Sequence, residues 1–127
     1  MKLKILLIED QRAIHEMLRI ATPRTQVEVI SAYNMAESLA AIKRERADIK
    51  YILLDGTLTN PQEDGSPETT PLVPLLKKKF PQATIMAISG KPEHNDILVE
   101  AGCHSSSPKE DFLIPLLNLL AEKEGIK

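Results

Sequence analysis

The sequence predicts an α/β domain in which helices cover both faces of a doubly wound parallel sheet. Short apolar runs alternate with amphipathic stretches along the 127 residues, a length that fits one domain. The runs that end at Ile8 and Leu54 are apolar at consecutive positions, as in strands that are buried on both faces. Alternation of this kind gives a parallel sheet, because right-handed crossovers between the strands carry the covering helices.

Apolar runs and helical periodicity place the elements in order. The runs predict five strands, at residues 4–8, 27–32, 51–54, 83–88 and 103–107. Amphipathic spacing predicts five helices, over residues 11–21, 34–46, 71–80, 93–101 and 111–123. The fifth strand carries a weak apolar signal, because three consecutive serines occupy it.

Capping and breaking residues set the ends of the helices. Pro23 stops the first helix, Asn34 is a suitable N-cap for the second, and Pro81 ends the third. Gly102 caps the fourth helix, and Pro115 must lie in or near the first turn of the last. One face of the first helix collects the apolar residues Ile14, Met17, Leu18 and Ala21.

Residues 56–70 are dense in Gly, Pro, Asn, Asp and Thr and predict a long loop. Loops of about 15 residues tend to be functional or mobile. We expect few packed contacts to hold this loop in one state.

Composition excludes several classes of protein. A net charge of −2 and four aromatic residues without Trp argue against a nucleic-acid-binding module. The lone Cys103 excludes an intrachain disulfide and a Cys-based zinc site, and it fits a small buried residue in a reducing compartment. No apolar run approaches the roughly 18 residues of a membrane span, and Glu9 ends the first run too early for a signal peptide. The sequence therefore predicts a cytoplasmic protein with no membrane or direct nucleic-acid partner.

Chemically active residues collect where the predicted strands end. Glu9 and Asp10 end the first strand, Asp55 the third and Ser89 the fourth, and Lys109 follows the fifth. Parallel strands bring their carboxyl ends to one edge of the sheet, where such folds bind ligands. Three carboxylates there repel one another unless a cation joins them, and Mg²⁺ is the natural choice. A carboxylate nucleophile with Mg²⁺ and a lysine is suited to phosphoryl transfer.

The histidines His15, His94 and His104 are scattered, and we expect them to lie on the surface or to pack helices.

Four segments in this order resemble the response-regulator receiver domain of two-component signalling. They are residues 5–10 (ILLIED), 51–55 (YILLD), 87–89 (AIS) and 101–102 (AG), the last of these ahead of Lys109. The resemblance covers essentially the whole chain. It implies a CheY-like, flavodoxin-like fold of three layers, with five parallel strands in the order 2-1-3-4-5.

The resemblance also implies roles for individual residues. Asp55 would accept a phosphoryl group from a histidine kinase or a phosphotransfer protein. Glu9 and Asp10, with Asp55 and the backbone carbonyl of Thr57, would hold Mg²⁺. Ser89 would move to meet the phosphoryl group and Lys109 would bind it. The protein would then be a phosphoprotein with at most autophosphatase activity, and not an enzyme.

The sequence departs from the family near the fifth strand. Pro108 precedes Lys109 and Glu110 follows it, whereas the family often has Pro directly after the lysine. The aromatic switch residue expected three positions before the lysine is Ser106. Ser106 cannot report the state of Ser89 by rotating a ring inward, so we expect any signal to travel through the loop 56–70.

The sequence leaves three functions open. The first is a single receiver domain over residues 1–127, with no output domain, that takes part in a phosphorelay and signals through a protein partner. The second is a degenerate receiver that binds a partner without phosphorylation, which the missing aromatic would fit. The third is a phosphatase of the haloacid-dehalogenase type, whose first motif Asp55, Gly56 and Thr57 resemble. In that family the nucleophile stands two residues earlier, where this chain has Leu53, which cannot attack phosphorus.

Overall fold

Strands and helices alternate in the computed structural model, which describes residues 2–58 and 62–126. The five strands in these ranges are β1 (Leu3–Ile8), β2 (Val27–Ala32), β3 (Ile49–Leu54), β4 (Thr84–Ala87) and β5 (Ser105–Ser106). The five helices are α1 (Arg12–Ala21), α2 (Met35–Arg44), α3 (Leu72–Lys79), α4 (Pro92–Ala101) and α5 (Leu113–Glu124). None of these helices is long and apolar enough to cross a membrane.

All five strands pair in parallel, in the order β2-β1-β3-β4-β5. The order reverses between β1 and β3, which makes the sheet doubly wound. The predicted α/β fold and its strand order are confirmed.

The sheet separates two apolar layers because successive side chains of a strand point to opposite faces. On β1, Leu6 and Ile8 join the layer that α2, α3 and α4 cover. Ile5 and Leu7 join the layer under α1 and α5. The core residues of the first layer include Ile52, Leu54, Leu72, Val73, Leu76, Phe80, Leu98 and Cys103. Those of the second include Leu18, Tyr51, Leu53, Phe112, Leu116 and Leu120.

Capping residues act where they were predicted. The Asn34 side chain accepts a hydrogen bond from the backbone N–H of Glu37 at 2.8 Å, at the start of α2. Gly102 ends α4 with a φ of 131°, a conformation that favours glycine.

The fifth strand is shorter than predicted and keeps only Ser105 and Ser106. Cys103 does not extend it, because its N–H donates to the carbonyl of Leu98 at the end of α4. Pro108 has no N–H to continue the ladder on the other side. Ser107 makes the last pairing contact, from its N–H to the carbonyl of Ala87 at 2.9 Å.

Candidate functional site

Glu9 and Asp55 lie side by side because the ends of β1 and β3 are in register. Ile8 pairs with Leu54, and each acid is the next residue of its strand. The Asp55 N–H donates to the carbonyl of Ile8 at 3.0 Å, so the hydrogen-bond ladder between the two strands continues to Asp55. The site is therefore built on the two central strands of the sheet.

The three predicted acids form one cluster. Glu9, Asp10 and Asp55 each offer a carboxylate oxygen, and these oxygens lie within 4.8 Å of one another. Glu9 is fully buried and Asp55 is 3% exposed, whereas Asp10 is half-buried. Such close carboxylates repel one another where little solvent screens them.

Lys109 supplies the positive charge of the cluster. Its Nζ lies 2.8 Å from Oε1 of Glu9 and 3.1 Å from Oδ2 of Asp55. Burial acts to lower the pKa of Lys109, but the two carboxylates outweigh it and raise that pKa above its usual range. The lysine is thus held charged between the two strands.

The charges of Asp55 and Asp10 are less well compensated. Burial raises the pKa of Asp55, and Lys109 opposes this rise only in part. Burial and the adjacent Glu9 raise the pKa of Asp10. Three carboxylates against one ammonium leave an excess of negative charge at this edge of the sheet.

The residues present fit a hard divalent cation. All three side chains offer oxygen ligands, the type that Mg²⁺ and Ca²⁺ take. Oε1 of Glu9 is buried and, apart from its ion pair with Lys109, lacks a hydrogen-bond donor in the described part of the chain. The half-buried Thr57 follows two residues after Asp55, close enough in sequence for its carbonyl to serve as a further ligand.

Ser89 lies at the end of β4 and is 4% exposed. Its hydroxyl oxygen accepts a hydrogen bond from the Lys91 N–H at 3.1 Å, which leaves the hydroxyl proton free to donate. No hydrogen bond joins Ser89 to the three acids among residues 2–58 and 62–126. The structure thus brings Glu9, Asp10, Asp55 and Lys109 together and places Ser89 at the adjacent strand end.

A groove lies on the β5 side of the site. A cavity of about 240 Å³ is lined by Ser89, Asn95, Ser106 and Pro108, among others. Ser106 is exposed at its rim and has no ring to fill it. Ser106, at the position where the resemblance implies an aromatic switch residue, thus lines an open groove beside Ser89.

Two supporting residues were not predicted from the sequence. His15 of α1 is fully buried and its Nε2 donates to the carbonyl of Glu9 at 2.7 Å. Asn95 of α4 accepts from the Ser89 N–H at 2.8 Å and donates to the carbonyls of Ser89 and Ser107. Neither role could be predicted, because the sequence of an amphipathic helix does not indicate which backbone group a polar side chain will contact.

Comparisons with known proteins identify the fold. No protein-family model and no curated protein matches the sequence. Among solved structures, a response regulator from Burkholderia pseudomallei is similar, with a TM-score of 0.76 and 21% identity over 98% of this chain and 69% of its own. It was solved with a phosphorylated aspartic acid, a calcium ion and citrate.

Two further structures are matched over nearly their whole length. A CheY-like receiver domain protein from Methanospirillum hungatei JF-1 has a TM-score of 0.72 and 23% identity over 98% of both chains. The receiver domain of NtrX from Brucella abortus has a TM-score of 0.68 and 23% identity over 94% of this chain and 98% of its own. The chain therefore has the fold of response regulator receiver domains over nearly its whole length.

Proposed function

We propose that the protein is a receiver domain of two-component signalling that accepts a phosphoryl group on Asp55 in the presence of Mg²⁺. The observation that carries this proposal is the buried cluster in which Lys109 bridges Glu9 and Asp55 beside Asp10. The phosphorylated aspartic acid and calcium ion of the Burkholderia pseudomallei structure support an acyl phosphate and a divalent cation on this fold.

The residues of the chain divide the chemistry between them. A carboxylate oxygen of Asp55 attacks phosphorus, and the bond from phosphorus to the donor breaks, with its electron pair going to the donor atom. Lys109 pairs with a phosphoryl oxygen, and the Ser89 hydroxyl donates its free proton to another. Glu9, Asp10, Asp55 and the Thr57 carbonyl would hold Mg²⁺, which would supply positive charge against that of the phosphoryl group.

The proposed donor is a phosphohistidine of a histidine kinase or phosphotransfer protein in the cytoplasm. The proposed output is a contact with a downstream protein. The protein is then a phosphoacceptor with at most autophosphatase activity. The phosphatase alternative would need a nucleophile at Leu53, which is fully buried within β3.

Intact mass spectrometry tests the acceptor. With a small phosphodonor such as acetyl phosphate and Mg²⁺, the wild-type mass should increase by one phosphoryl group. Asp55→Asn should abolish the increase because the amide cannot attack, and chelation of Mg²⁺ should prevent it. Asp96→Asn is the matched control, since Asp96 is an exposed acid on α4.

Two outcomes would contradict the proposal. An unchanged mass at high phosphodonor would favour the degenerate receiver that binds its partner without phosphorylation. Sustained turnover of a phosphomonoester that is lost in Asp55→Asn would favour the phosphatase.

A further inference from the structure

The loop that follows the acceptor is fixed at its base, contrary to the expectation of few packed contacts. Thr69 is fully buried, and its hydroxyl donates to the carbonyl of Asp55 at 2.6 Å. The Thr69 N–H donates to the carbonyl of Gly56 at 3.1 Å. Near the start of the loop, the Leu58 N–H donates to the Glu68 carboxylate at 2.9 Å. Residues 59–61 lie outside the described residues, but the described part of the loop closes onto the acceptor peptide.

His94 joins this loop to α4. The residue is 3% exposed, and the Nε2 of its ring lies 2.7 Å from the carbonyl oxygen of Gly65. Because a carbonyl can only accept, Nε2 carries the proton and donates it. Nδ1 is buried and has no hydrogen-bond partner in the described ranges, so its position is not explained by a second hydrogen bond.

The same ring lies against Gly56, the residue next to the acceptor. A Cβ at position 56 would lie 3.0 Å from His94 Nδ1, 3.2 Å from His94 Cβ and 3.3 Å from Pro67 Cβ. These distances are tighter than ordinary van der Waals contacts, so a side chain at position 56 would require His94 or Pro67 to shift by a few tenths of an ångström. The absence of a side chain at position 56 thus lets His94 pack closely against Gly56.

Gly56 in turn orients the acceptor. Its N–H donates to Oδ1 of Asp55 at 2.8 Å, and Oδ2 of the same carboxylate faces Lys109. A shift of Gly56 would move the N–H that fixes Oδ1 of Asp55, while Lys109 would still hold Oδ2. The orientation of the Asp55 carboxylate thus depends on the position of Gly56.

We propose that His94, in the first turn of α4, is a positioning residue for Asp55 and acts by fixing Gly56 and residues 62–70 of the loop. This inference rests on the proposed phosphoacceptor function. Its basis is one side chain that lies against Gly56 and also donates a hydrogen bond to the carbonyl of Gly65, further along the same loop. Under this proposal the buried histidine orients the Asp55 carboxylate in addition to packing in the core.

Three variants separate positioning from packing. His94→Leu keeps much of the volume and removes the donor to Gly65. His94→Gln keeps an amide N–H in place of the Nε2–H. Glu93→Gln changes the exposed preceding residue of α4 and is the control. Each variant is measured for its initial rate of phosphorylation by acetyl phosphate at saturating Mg²⁺, and for amide hydrogen exchange over residues 62–70 before any phosphodonor is added.

His94→Leu should lower the phosphorylation rate about tenfold or more, because a small misplacement of a reacting group is costly. It should also speed exchange over residues 62–70. His94→Gln should restore most of both, and Glu93→Gln should change neither. A residue that only packs the core would change stability and leave the rate of the folded protein intact. A wild-type rate in a folded His94→Leu protein with faster exchange would therefore overturn the proposal.

Gly56→Ala changes the other partner in the contact between Gly56 and His94. It tests the proposal if His94→Leu does not fold. The added Cβ should push the ring away, slow phosphorylation and speed exchange over residues 62–70. Normal phosphorylation of Gly56→Ala would contradict the proposal. A wild-type protein that cannot be phosphorylated would refute the proposed function instead, and exchange in the unmodified variants would still show whether His94 holds the loop.

Discussion

At the scale of single residues, Lys109 is the cation on which two buried carboxylates depend. Glu9 and Asp55 have almost no contact with solvent, and both face its ammonium group. An ion pair in such surroundings adds little net stability, yet removal of one partner leaves an uncompensated charge. The lysine that would bind the phosphoryl group therefore also stabilises the protein in its unphosphorylated state.

Lys109→Met should accordingly lower the free energy of unfolding by about 3 kcal/mol or more in the absence of metal. Added Mg²⁺ should restore part of this loss, because a ligand of the folded state alone stabilises it by mass action. Urea denaturation with and without Mg²⁺ measures both effects. Lys78→Met, on the exposed side of α3, should stay within about 0.5 kcal/mol of wild type. A Lys109→Met protein as stable as this control would show that the cluster is not compensated as described.

At the scale of elements, Asn95 connects α4 to the ends of two strands. Its side chain makes one hydrogen bond to the Ser89 N–H and two to the carbonyls of Ser89 and Ser107. β5 has only two residues of regular pairing, and its serines add little apolar burial. The hydrogen bonds of the Asn95 side chain therefore fix the end of β5, a role that the burial of apolar side chains plays in a longer apolar strand.

Asn95→Ala should lower the free energy of unfolding by about 2–3 kcal/mol, because it leaves three buried backbone groups without their partner. Amide exchange at Ser89 and Ser107 should quicken more than exchange in β1 and β3. Asp96→Ala, at the exposed neighbouring position, should cost no more than about 0.5 kcal/mol. Equal stabilities of the two variants would mean that the end of β5 is held by other contacts.

The same elements show why part of the site could be predicted and part could not. Glu9 and Asp55 were found because each directly follows an apolar strand, and Lys109 because it follows the weakly predicted fifth strand. Parallel strands carry such residues to one edge of the sheet. In α4 the apolar stretch 97–99 is ambiguous, since Leu98 is buried while Ile97 and Val99 are about 36–40% exposed. The inward face, and with it His94 and Asn95, could not be deduced from that pattern. Loop composition likewise predicted residues 56–70 to be irregular, but not that Thr69 returns to the carbonyl of Asp55.

At the scale of the whole molecule, each of the two core layers in the described residues contains an ionisable group whose pKa is raised by burial. Tyr51 lies in the layer under α1 and α5, where burial and then the nearby Glu124 raise its pKa to about 12. Cys103 lies in the layer under α2, α3 and α4, where burial raises its pKa to about 11. Both residues are 5% exposed, so little solvent is available to stabilise their charged forms.

These two groups make the fold sensitive to alkali. The folded pKa of each lies above its value in the unfolded chain, so the unfolded chain releases these protons first as the pH rises. Their contribution to stability is therefore complete below about pH 8.5 and declines toward about pH 12. Urea denaturation between about pH 8 and about pH 11 should show a falling free energy of unfolding. Tyr51→Phe and Cys103→Ala should each make that fall shallower, whatever they do to the free energy of unfolding at neutral pH.

Tyr33→Phe is the matched control. Hydrogen bonds with Ser31 and Arg19 lower the pKa of Tyr33, so removal of its hydroxyl cannot make the decline of stability with pH shallower. An equally steep fall in all three variants would place the alkaline sensitivity outside the two core layers.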